Sequence, residues 1–532
     1  MTKFGKGVLE NLTQAMYNDS RIIYREYIQN SCDQINIALK NNSFPNEKLE
    51  IIITIDVKKR NIFIRDNANG VPVKEIEKRL ADVADSDKVH GESIGFRGIG
   101  RLGGVGYCKE LRFVTTSRGE TKETTMVWNA KRLQEIIVDS NNHDSAQDIL
   151  DELISYEYKD VAKDEHYFEV QMLDINEADD KLLDYDNIKQ YIAEVAPVDF
   201  KKTFLYRGKI YDFINSHDEI PELNTYNIGI RKKGGDLNYI FKEYPTAIYK
   251  MSGTGRSAKR EKVDDIRDVH TDLIYNSQGK PIAWIWYAIS SFQGYIHELG
   301  NPWRFLRLRQ FNVQIGNNDA LSGFFKESRG NSYFMGEVHT IDTRLRPNAR
   351  RDYFNETPEA KELEKALKDY FRQLQIIYKS GSEINSAYRK AKKVEELQAK
   401  FAKKEKEGKF VNKTDRAKAV VELENAQKDA EAGLKVITKF KGIAEKNNDS
   451  AIAKVVTAIG NSQKIKPEKV KIKPIPQKKK EAKAPILTDD LSQYDKKTRK
   501  LISKIYSIIK NNMVNDEADA LIEKIHEELK KS

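Results

Sequence analysis

The sequence predicts an α/β protein, an α+β sandwich followed by a helical C-terminal third. A helix is predicted from about Arg21 to Leu39, because its apolar residues recur at helical spacing and form one face. Two strands follow it, Leu49–Val57, which is rich in isoleucine, and Asn61–Arg65, with a short polar turn between them. Beyond residue 355, strand-like runs give way to segments rich in alanine, lysine and glutamate with helical periodicity. A sheet covered by helices and followed by a helical arm accounts for all three observations.

Composition limits the class of protein. The 532 residues are 39% hydrophobic and 32% charged, with a mean hydropathy of −0.67, so we expect several soluble domains with sizeable cores. No apolar run is long enough to span a membrane and no signal peptide is recognised, which predicts a cytoplasmic protein without a membrane partner. Cys32 and Cys108 are the two cysteines, so neither a disulfide framework nor a zinc site is expected.

A glycine-rich segment lies between Ile94 and Tyr107, with glycines at positions 95, 98, 100, 103, 104 and 106 and with Arg97 and Arg101 among them. Glycine is favoured where the backbone turns tightly or approaches a ligand closely. The segment therefore predicts either a phosphate-binding loop, in which backbone N–H groups hold the anion, or a flexible glycine loop. The polar residues Asp85–Ser93 before it are interpreted as a lid. The sequence G-x-x-x-x-G-K-[ST] does not occur, so this is not a P-loop.

Two groups of polar residues precede this segment. On the predicted helix, Glu26, Asn30 and Asp33 are spaced by four and three residues and therefore share a face. Such a face either holds a metal ion and a water molecule or is simply solvated. At the end of the second strand, Asp66 opens a turn that contains Gly70. Its carboxylate either accepts a hydrogen bond from the amino group of a base or forms an ordinary Asx turn.

Together these segments resemble the motifs of the GHKL ATPases, the superfamily of gyrase, heat-shock chaperones, histidine kinases and MutL. Met16–Gln34 resembles the N-box, I-R-D-N-A-N-G-V-P resembles Asp-x-Gly-x-Gly, and G-F-R-G-I-G-R resembles Gly-x-x-Gly-x-Gly, in the same order. The pattern is most similar to that of the HtpG-type heat-shock chaperones. The sequence departs from it in two ways: Ala68 replaces the first glycine of the second motif, and Asp164–Leu173 lacks the Gly-Thr often found on a later strand.

The resemblance implies a Bergerat-type ATP-binding domain, with ATP and Mg²⁺ as ligands, and an ATPase activity. It implies that Glu26 is the general base that activates the attacking water, that Asn30 coordinates Mg²⁺ and that Asp66 reads the adenine amino group. Phosphoryl transfer needs positioning, a metal ion and an oriented water more than covalent chemistry, and these residue types supply that. The residues implied to bind the nucleotide are Asn30, Asp33, Asp66, Gly70, Lys88, Gly95, Arg97, Gly98, Ile99, Gly100 and Arg101. The glycines at 103, 104 and 106 exceed the motif, and we expect close helix packing there.

A second resemblance lies in Gly336–Tyr353, which is similar to the middle-domain turn of heat-shock chaperones. In that turn the pattern Asn-x-x-Arg-acid presents an arginine to the terminal phosphate. The match implies that Arg351, followed by Asp352, is the phosphate sensor and the second catalytic residue, with Arg350 as the alternative. A pair of surface arginines would give the same pattern.

The chain is predicted to contain five segments: 1–175 an ATP-binding domain, 176–355 a transducer-like middle domain, 356–460 a helical or coiled-coil arm, 461–486 a basic Lys/Pro linker and 487–532 a C-terminal helical unit. Local patterns predict helices over Val73–Val83 and Ser145–Tyr156, and strands over Thr203–Tyr206 and Arg304–Ile315. The arm is predicted as a helix that begins at Thr357-Pro358, with further helices from Ile384 to about Lys404 and from Thr414 to about Lys446.

The predicted function is a nucleotide-driven switch. ATP closes the lid and brings together the N-terminal domains of a homodimer, which clamps or remodels a macromolecular client in a chaperone-like way. The net charge is +10, and Lys464–Lys480 carries eight lysines against one acid, which indicates either DNA contact or a solvated linker. Two alternatives therefore stand beside the chaperone: a DNA-associated clamp ATPase in repair or in defence against phage and other foreign DNA, and a nucleotide-dependent scaffold that does not hydrolyse ATP.

Overall fold

The computed structural model describes residues 5–13, 19–81, 100–253, 259–410, 413–446, 450–462 and 490–531. The chain divides into two compact units. The first comprises Met1–Ala288 with Tyr295–Leu374, and the second comprises Ile289–Gly294 with Gln375–Ser532. The first unit contains the sheets, and the second is built mainly of helices.

Several of the described helices begin where a side chain caps a free N–H group of the first turn. Asn129, Ser145, Asp184 and Asp495 each accept a hydrogen bond from a backbone N–H of the first turn. The α-helices are α1 Gly7–Thr13, α2 Ile22–Lys40, α3 Ala130–Val138, α4 Ala146–Leu153, α5 Tyr185–Val195, α6 Arg207–Asn215, α7 Pro358–Lys406, α8 Lys413–Lys446, α9 Ala451–Ser462, α10 Lys496–Asn512 and α11 Asn515–Lys531.

The strands form an eight-stranded sheet, a five-stranded sheet and a two-stranded ribbon. The strands are β1 Glu50–Asp56, β2 Asn61–Asp66, β3 Cys108–Thr116, β4 Lys122–Trp128, β5 Ile154–Asp160, β6 Tyr167–Ile175, β7 Asn227–Lys232, β8 Asn238–Tyr239, β9 Ala247–Ser252, β10 Lys259–Asp265, β11 Asp268–Tyr275, β12 Pro281–Ile289, β13 Phe305–Gln310, β14 Val313–Gln314 and β15 Met335–Thr340. Their orders are β5-β4-β3-β6-β2-β1-β7-β8, β11-β12-β15-β13-β14 and β10-β9.

The eight-stranded sheet is mostly antiparallel, and its register follows from alternating isoleucines. Ile53 on β1 pairs with Ile64 on β2, and Ile55 pairs with Ile62, so the apolar side chains of both strands share the core face. Helices α2, α3 and α5 pack against this sheet. The predicted fold class, an α/β protein with a helical C-terminal region, is confirmed.

The sheet extends beyond the first predicted segment boundary at residue 175. Strand β7 pairs in parallel with β1, and β8 pairs with β7, so residues 227–239 hydrogen-bond to the first sheet. The division into five segments stays a prediction, and most of the predicted basic linker lies outside the described residues.

Four local expectations in the first unit differ from the structure. Thr203–Tyr206 is not a strand but a turn that leads into α6, closed by the N–H of Phe204 donating to the carbonyl of Lys201. The helix predicted over Ser145–Tyr156 ends at Leu153, because the next residues join β5 and pair with β4.

The other two differences concern irregular helical turns and a tight turn between strands. The helix predicted over Val73–Val83 is a 3₁₀ turn at Val73–Glu75 and a π-helical turn at Glu77–Ala81, and the structure does not describe residues 82 and 83. The long strand predicted over Arg304–Ile315 is a hairpin, β13 and β14, because Phe311 and Asn312 both have positive φ and turn the chain.

The second unit is dominated by long helices. Helix α7 starts at Pro358, and the Thr357 hydroxyl accepts the Ala360 N–H at 3.3 Å, as the sequence predicts for an N-cap. It continues without interruption to Lys406, where the sequence suggested two separate helices. A Cβ atom at Gly381 would lie 2.7 Å from the Cβ atom of Phe292, so glycine permits close packing of the helix there. No helix in the described part of the chain is long and apolar enough to cross a membrane.

Candidate functional site

Helix α2 carries a polar stripe that is buried rather than solvated. Arg25, Glu26, Gln29, Ser31 and Asp33 are between 1% and 6% exposed, although all are polar. Buried polar side chains require partners or a ligand, because their desolvation is otherwise costly. The interpretation of this helix as an ordinary solvated face is therefore wrong.

Glu26 meets Arg351 inside the first unit. The Nε atom of Arg351 lies 3.0 Å from Oε1 of Glu26, and the two side chains are only 9% and 7% exposed. Arg25 adds a second guanidinium, with Nη2 3.6 Å from the same oxygen. The contacts are charge pairs without aligned hydrogen bonds, because Oε1 has no aligned donor among the described residues. Two guanidinium groups thus lie beside one carboxylate oxygen.

The glycine-rich segment packs directly on α2. A Cβ atom at Gly100 would lie 2.5 Å from Oε2 of Glu26, so no side chain fits there without moving the carboxylate. The Tyr27 hydroxyl donates to the carbonyl of Arg101 and accepts from the N–H of Gly104, both at 3.0 Å. A Cβ atom at Gly104 would overlap that hydroxyl. The expected close packing is confirmed at Gly104, where a 3₁₀ segment, Gly100–Gly106, lies against the helix.

Asp66 ends strand β2 with its side chain 1% exposed. The Ala68 N–H donates to its Oδ1 at 3.1 Å, whereas Oδ2 has no hydrogen-bond partner among the described residues. Burial raises the pKa of Asp66 to about 6, and the nearby Ser31 hydroxyl and the Ala68 backbone N–H oppose that rise. A buried carboxylate oxygen that lacks a donor fits a ligand that supplies one, and the amino group of adenine is such a donor.

The turn after Asp66 is fixed on two sides. Gly70 has φ +66°, and a Cβ atom there would overlap the carbonyl of Thr116, so glycine is required for packing as well as for backbone conformation. Ala68 is fully buried, and its φ is not in the positive range, so an alanine adopts this conformation without strain. The Nδ1 atom of His166 lies 2.9 Å from the Ala68 carbonyl. That nitrogen carries the proton, because a carbonyl oxygen can only accept.

The loop that carries Arg351 is tightly folded. Arg351 itself has φ +55°, uncommon for a residue with a side chain, and its N–H donates to the Asn348 carbonyl at 3.1 Å. The Asn348 side chain accepts the Asp352 N–H at 3.3 Å and also bonds the Asp352 carboxylate. The Arg351 carbonyl accepts the Gly316 N–H at 2.9 Å. Arg351 is 8% exposed and faces Glu26, whereas Arg350 is exposed to solvent.

The remaining predicted residues fall into two groups. Asn30 is half-buried one turn after Glu26, and Asp33 is 4% exposed on the same helix. Among the described residues, no group of three or more His, Cys, Asp or Glu side chains could hold a metal ion by itself. The predicted nucleotide-binding residues that lie outside the described ranges are Lys88, Gly95, Arg97, Gly98 and Ile99.

Sequence reasoning missed several residues that shape this site. Arg25 is adjacent to Glu26 in the chain, so its proximity could have been read from the helix itself. Tyr27 and His166 contact the glycine segment and the Ala68 carbonyl, respectively. Gly316 lies after β14 and donates its N–H to the Arg351 carbonyl. No local sequence pattern indicates this contact. These contacts depend on tertiary structure.

Comparison with known proteins agrees with the geometry over part of the chain. Residues 23–167 match the family model described as histidine kinase-, DNA gyrase B-, and HSP90-like ATPase. No curated protein matches the chain. The matched range contains Glu26, Asn30, Asp66 and the glycine segment, and ends before Arg351. The match supports the assignment of residues 23–167 to the GHKL ATPase superfamily.

Proposed function

We propose that this protein is an ATP-hydrolysing conformational switch, in which Glu26 activates the attacking water and Arg351 senses the terminal phosphate. ATP binding would bring two N-terminal domains together as a homodimer and clamp a macromolecular client in a chaperone-like way. The proposed switch is similar to that of the HtpG-type heat-shock chaperones. The observation that carries it is the 3.0 Å approach of Arg351 Nε to Glu26 Oε1.

The arrangement has a chemical rationale. A general base must reach a water proton with a free lone pair, and Oε1 of Glu26 has no aligned donor among the described residues. Arg25 and Arg351 place two positive charges beside this carboxylate. Preorganised cations stabilise the negative charge that develops on a transferred phosphoryl group. Base and phosphate-stabilising groups therefore converge on one point.

The nucleotide would lie along α2 and the turn after Asp66. The unpartnered Oδ2 of Asp66 would accept the adenine amino group. Asn30, one turn beyond Glu26, would hold Mg²⁺ together with the phosphates, and the ion would supply charge neutralisation across them. Asp33 on the same helix would orient the water molecules around Mg²⁺ and the nucleotide.

Two variants test the assignment. Glu26→Ala is expected to bind ATP but to lose hydrolysis by roughly 10²- to 10⁴-fold, the usual contribution of a general base. Asp66→Asn is expected to lose ATP binding, because its amide would oppose the adenine amino group. Binding is measured by calorimetry, and turnover by phosphate release. Unchanged turnover in Glu26→Ala would exclude this role for the residue.

A DNA-associated clamp is the second candidate, favoured by the eight lysines against one acid in Lys464–Lys480. It would show DNA-stimulated ATP turnover that falls steeply with salt, because phosphate contacts release counterions. Neutralising these lysines should then abolish the stimulation and leave basal turnover unchanged. A client-stimulated, DNA-independent turnover would favour the chaperone-like candidate. Sedimentation with and without ATP reports the dimerisation in either case.

A further inference from the structure

A second polar cluster lies apart from the Glu26 carboxylate, between helix α5 and the connection that follows β14. It consists of Glu194, Arg307, Gln314 and Asn318. Arg307 is completely buried and Glu194 is 9% exposed, so this is an interior network. None of the four belongs to a motif in the sequence, and within the described residues none forms a hydrogen bond or ion pair with Glu26.

The contacts within the cluster are dense. Nη1 of Arg307 lies 3.0 Å from Oε2 of Glu194, 2.8 Å from Oδ1 of Asn318 and 3.1 Å from Oε1 of Gln314. The Asn318 amide donates to the same Glu194 oxygen at 3.1 Å. The Gln314 amide donates to the Gly316 carbonyl at 3.1 Å. Side-chain hydrogen bonds therefore hold residues 314–318 against the end of α5, and each bond has a defined donor and acceptor.

Residues 314–318 also contact the loop that carries Arg351. The Gly316 N–H donates to the Arg351 carbonyl at 2.9 Å. Gly316 has φ +74°, and a Cβ atom there would lie 2.6 Å from the Asp352 carbonyl oxygen and 2.8 Å from the Ala320 Cβ atom. Glycine therefore permits the close approach that places Arg351.

Helix α5 also supports the other side of the site. Nη1 of Arg21, the residue before α2, donates to Oδ1 of Asn187 on α5 at 2.8 Å. The Arg21 guanidinium lies 4.8 Å from the ring centre of Tyr191 on the same helix. Both partners of the Glu26–Arg351 pair thus rest on α5, one through α2 and the other through Asn318 and Gly316.

We propose that Glu194 and Asn318 are positioning residues that set the placement of Arg351 against Glu26. The proposal rests on the proposed function, because it assumes that Arg351 reads the terminal phosphate. Neither side chain forms a hydrogen bond or ion pair with Glu26 or Arg351 among the described residues. Their hydrogen bond to each other and to Arg307 fixes residues 314–318, and through Gly316 it fixes the backbone of Arg351. A displacement of about 1 Å at such a group costs roughly 10²-fold in rate.

The test removes the donor of the hydrogen bond between Asn318 and Glu194 and then restores the bond with donor and acceptor exchanged. Asn318→Asp places a second carboxylate against Glu194 and is expected to lower kcat by about 10- to 100-fold. It should also lower the ratio of ATP to ADP affinity, measured by calorimetry, toward the ratio in Arg351→Ala. The double variant Glu194→Gln with Asn318→Asp exchanges donor and acceptor and leaves Arg307 one carboxylate partner. It is expected to recover both readouts.

A glycine pair provides an independent variant and its control. Gly316→Ala should lower the ATP-to-ADP ratio as Asn318→Asp does. Gly279→Ala also replaces a glycine of positive φ, at φ +78°, but a Cβ atom there has nothing within 4 Å, so the ratio should not change. Thermal unfolding of each variant separates loss of position from loss of fold. Asn318→Asp should cause no further fall in the ratio when Arg351 is already alanine.

Each outcome decides the matter. If Asn318→Asp keeps wild-type turnover and nucleotide preference while Arg351→Ala loses both, the positioning role is overturned and the proposed function stands. If the swapped double variant folds but does not recover, the cluster is only structural and the proposal also fails. If Arg351→Ala and Glu26→Ala change neither readout, the proposed function itself is wrong. The proposal is supported if the double variant recovers turnover and the ratio of ATP to ADP affinity, and if Gly279→Ala leaves that ratio unchanged.

Discussion

Arg351 and Glu26 form a buried ion pair between a loop after strand β15 and helix α2, with Nε and Oε1 3.0 Å apart. A buried pair adds little net stability, because desolvation of the charges offsets their attraction, whereas removal of one partner costs roughly 3–5 kcal/mol. Here Arg25 supplies a second cation 3.6 Å from the same carboxylate oxygen. Two guanidinium groups beside one carboxylate oxygen suit an anionic ligand such as a terminal phosphate.

Neighbouring arginines in this loop offer a matched pair of variants. Arg351→Ala is expected to lower turnover by roughly 10²- to 10³-fold, because it removes a preorganised cation from the reacting phosphate. It should also reduce the preference for ATP over ADP. Arg350→Ala should remain near wild type, since Arg350 is exposed and Arg351 is the buried partner of Glu26.

Phosphate-release assays and calorimetry with ATP and ADP measure both effects. The loss of Arg351 leaves Glu26 paired with Arg25, so thermal unfolding should show that the variant remains folded. Equal losses in the two alanine variants would contradict the assignment of the phosphate sensor to Arg351.

The sequence predicts those parts of the site that depend on local pattern. Glu26 and Asp33 share a face of α2 because helical spacing dictates it, and Asp66 lies at the end of β2 because the apolar alternation stops there. The Asn-x-x-Arg pattern indicates Arg351, which the structure brings to Glu26. The roles of these residues in ATP chemistry stay predictions.

What the sequence does not predict depends on distant contacts. Asn318 and Glu194 carry no periodicity or motif, and their contact exists only because β13 and α5 pack together. The strand predicted at Thr203–Tyr206 fails for a similar reason. Its aromatic residues suit a strand, but Phe204 packs against Tyr244 and Trp286 at ring-centre distances of 5.9 Å, which stabilises a turn.

Glu337 is the common partner of a buried charge network in the five-stranded sheet. Its Oε2 lies 2.9 Å from Nζ of Lys242 and its Oε1 lies 2.5 Å from Nε of Arg309, and all three side chains are fully buried. Burial and the Arg309 charge lower the pKa of Lys242 to about 7. Against the effect of burial, Arg309 and Lys242 hold the carboxyl pKa of Glu337 well below its usual range. One carboxylate therefore compensates two desolvated cations.

Replacing that carboxylate should be strongly destabilising. Glu337→Gln is expected to lower the free energy of unfolding by roughly 3–5 kcal/mol, because it leaves Lys242 and Arg309 buried without a counter-charge. Glu243→Gln is the control, since Glu243 pairs with Lys201 at 3.0 Å but its side chain is 49% exposed. That change should stay within about 0.5 kcal/mol. Urea unfolding measures both, and similar midpoints for the two variants would contradict the inference.

Because of Asp66, ATP affinity and the free energy of unfolding are expected to change with pH in opposite directions. Burial raises its pKa from 3.8 to about 6. In the proposed function Asp66 accepts from the adenine amino group, and an ionised carboxylate accepts more strongly than a carboxylic acid, so ATP affinity should fall as the pH drops through 6. The nucleotide-free fold should respond in the other direction. Because the folded state binds the proton more tightly than the unfolded state, this group lowers the free energy of unfolding as pH rises from 3.8 to about 6.

Calorimetry with ATP from pH 5 to 7.5, on the order of one unit either side of that pKa, measures the first effect. Denaturant unfolding without nucleotide over the same range measures the second. Asp66→Asn cannot titrate at this position, so its unfolding free energy should lose the Asp66 contribution to the pH slope. Other carboxylates titrate in both proteins, and the comparison therefore rests on the difference between the two slopes. Identical slopes would show that Asp66 is already ionised throughout this range and that burial does not control its charge.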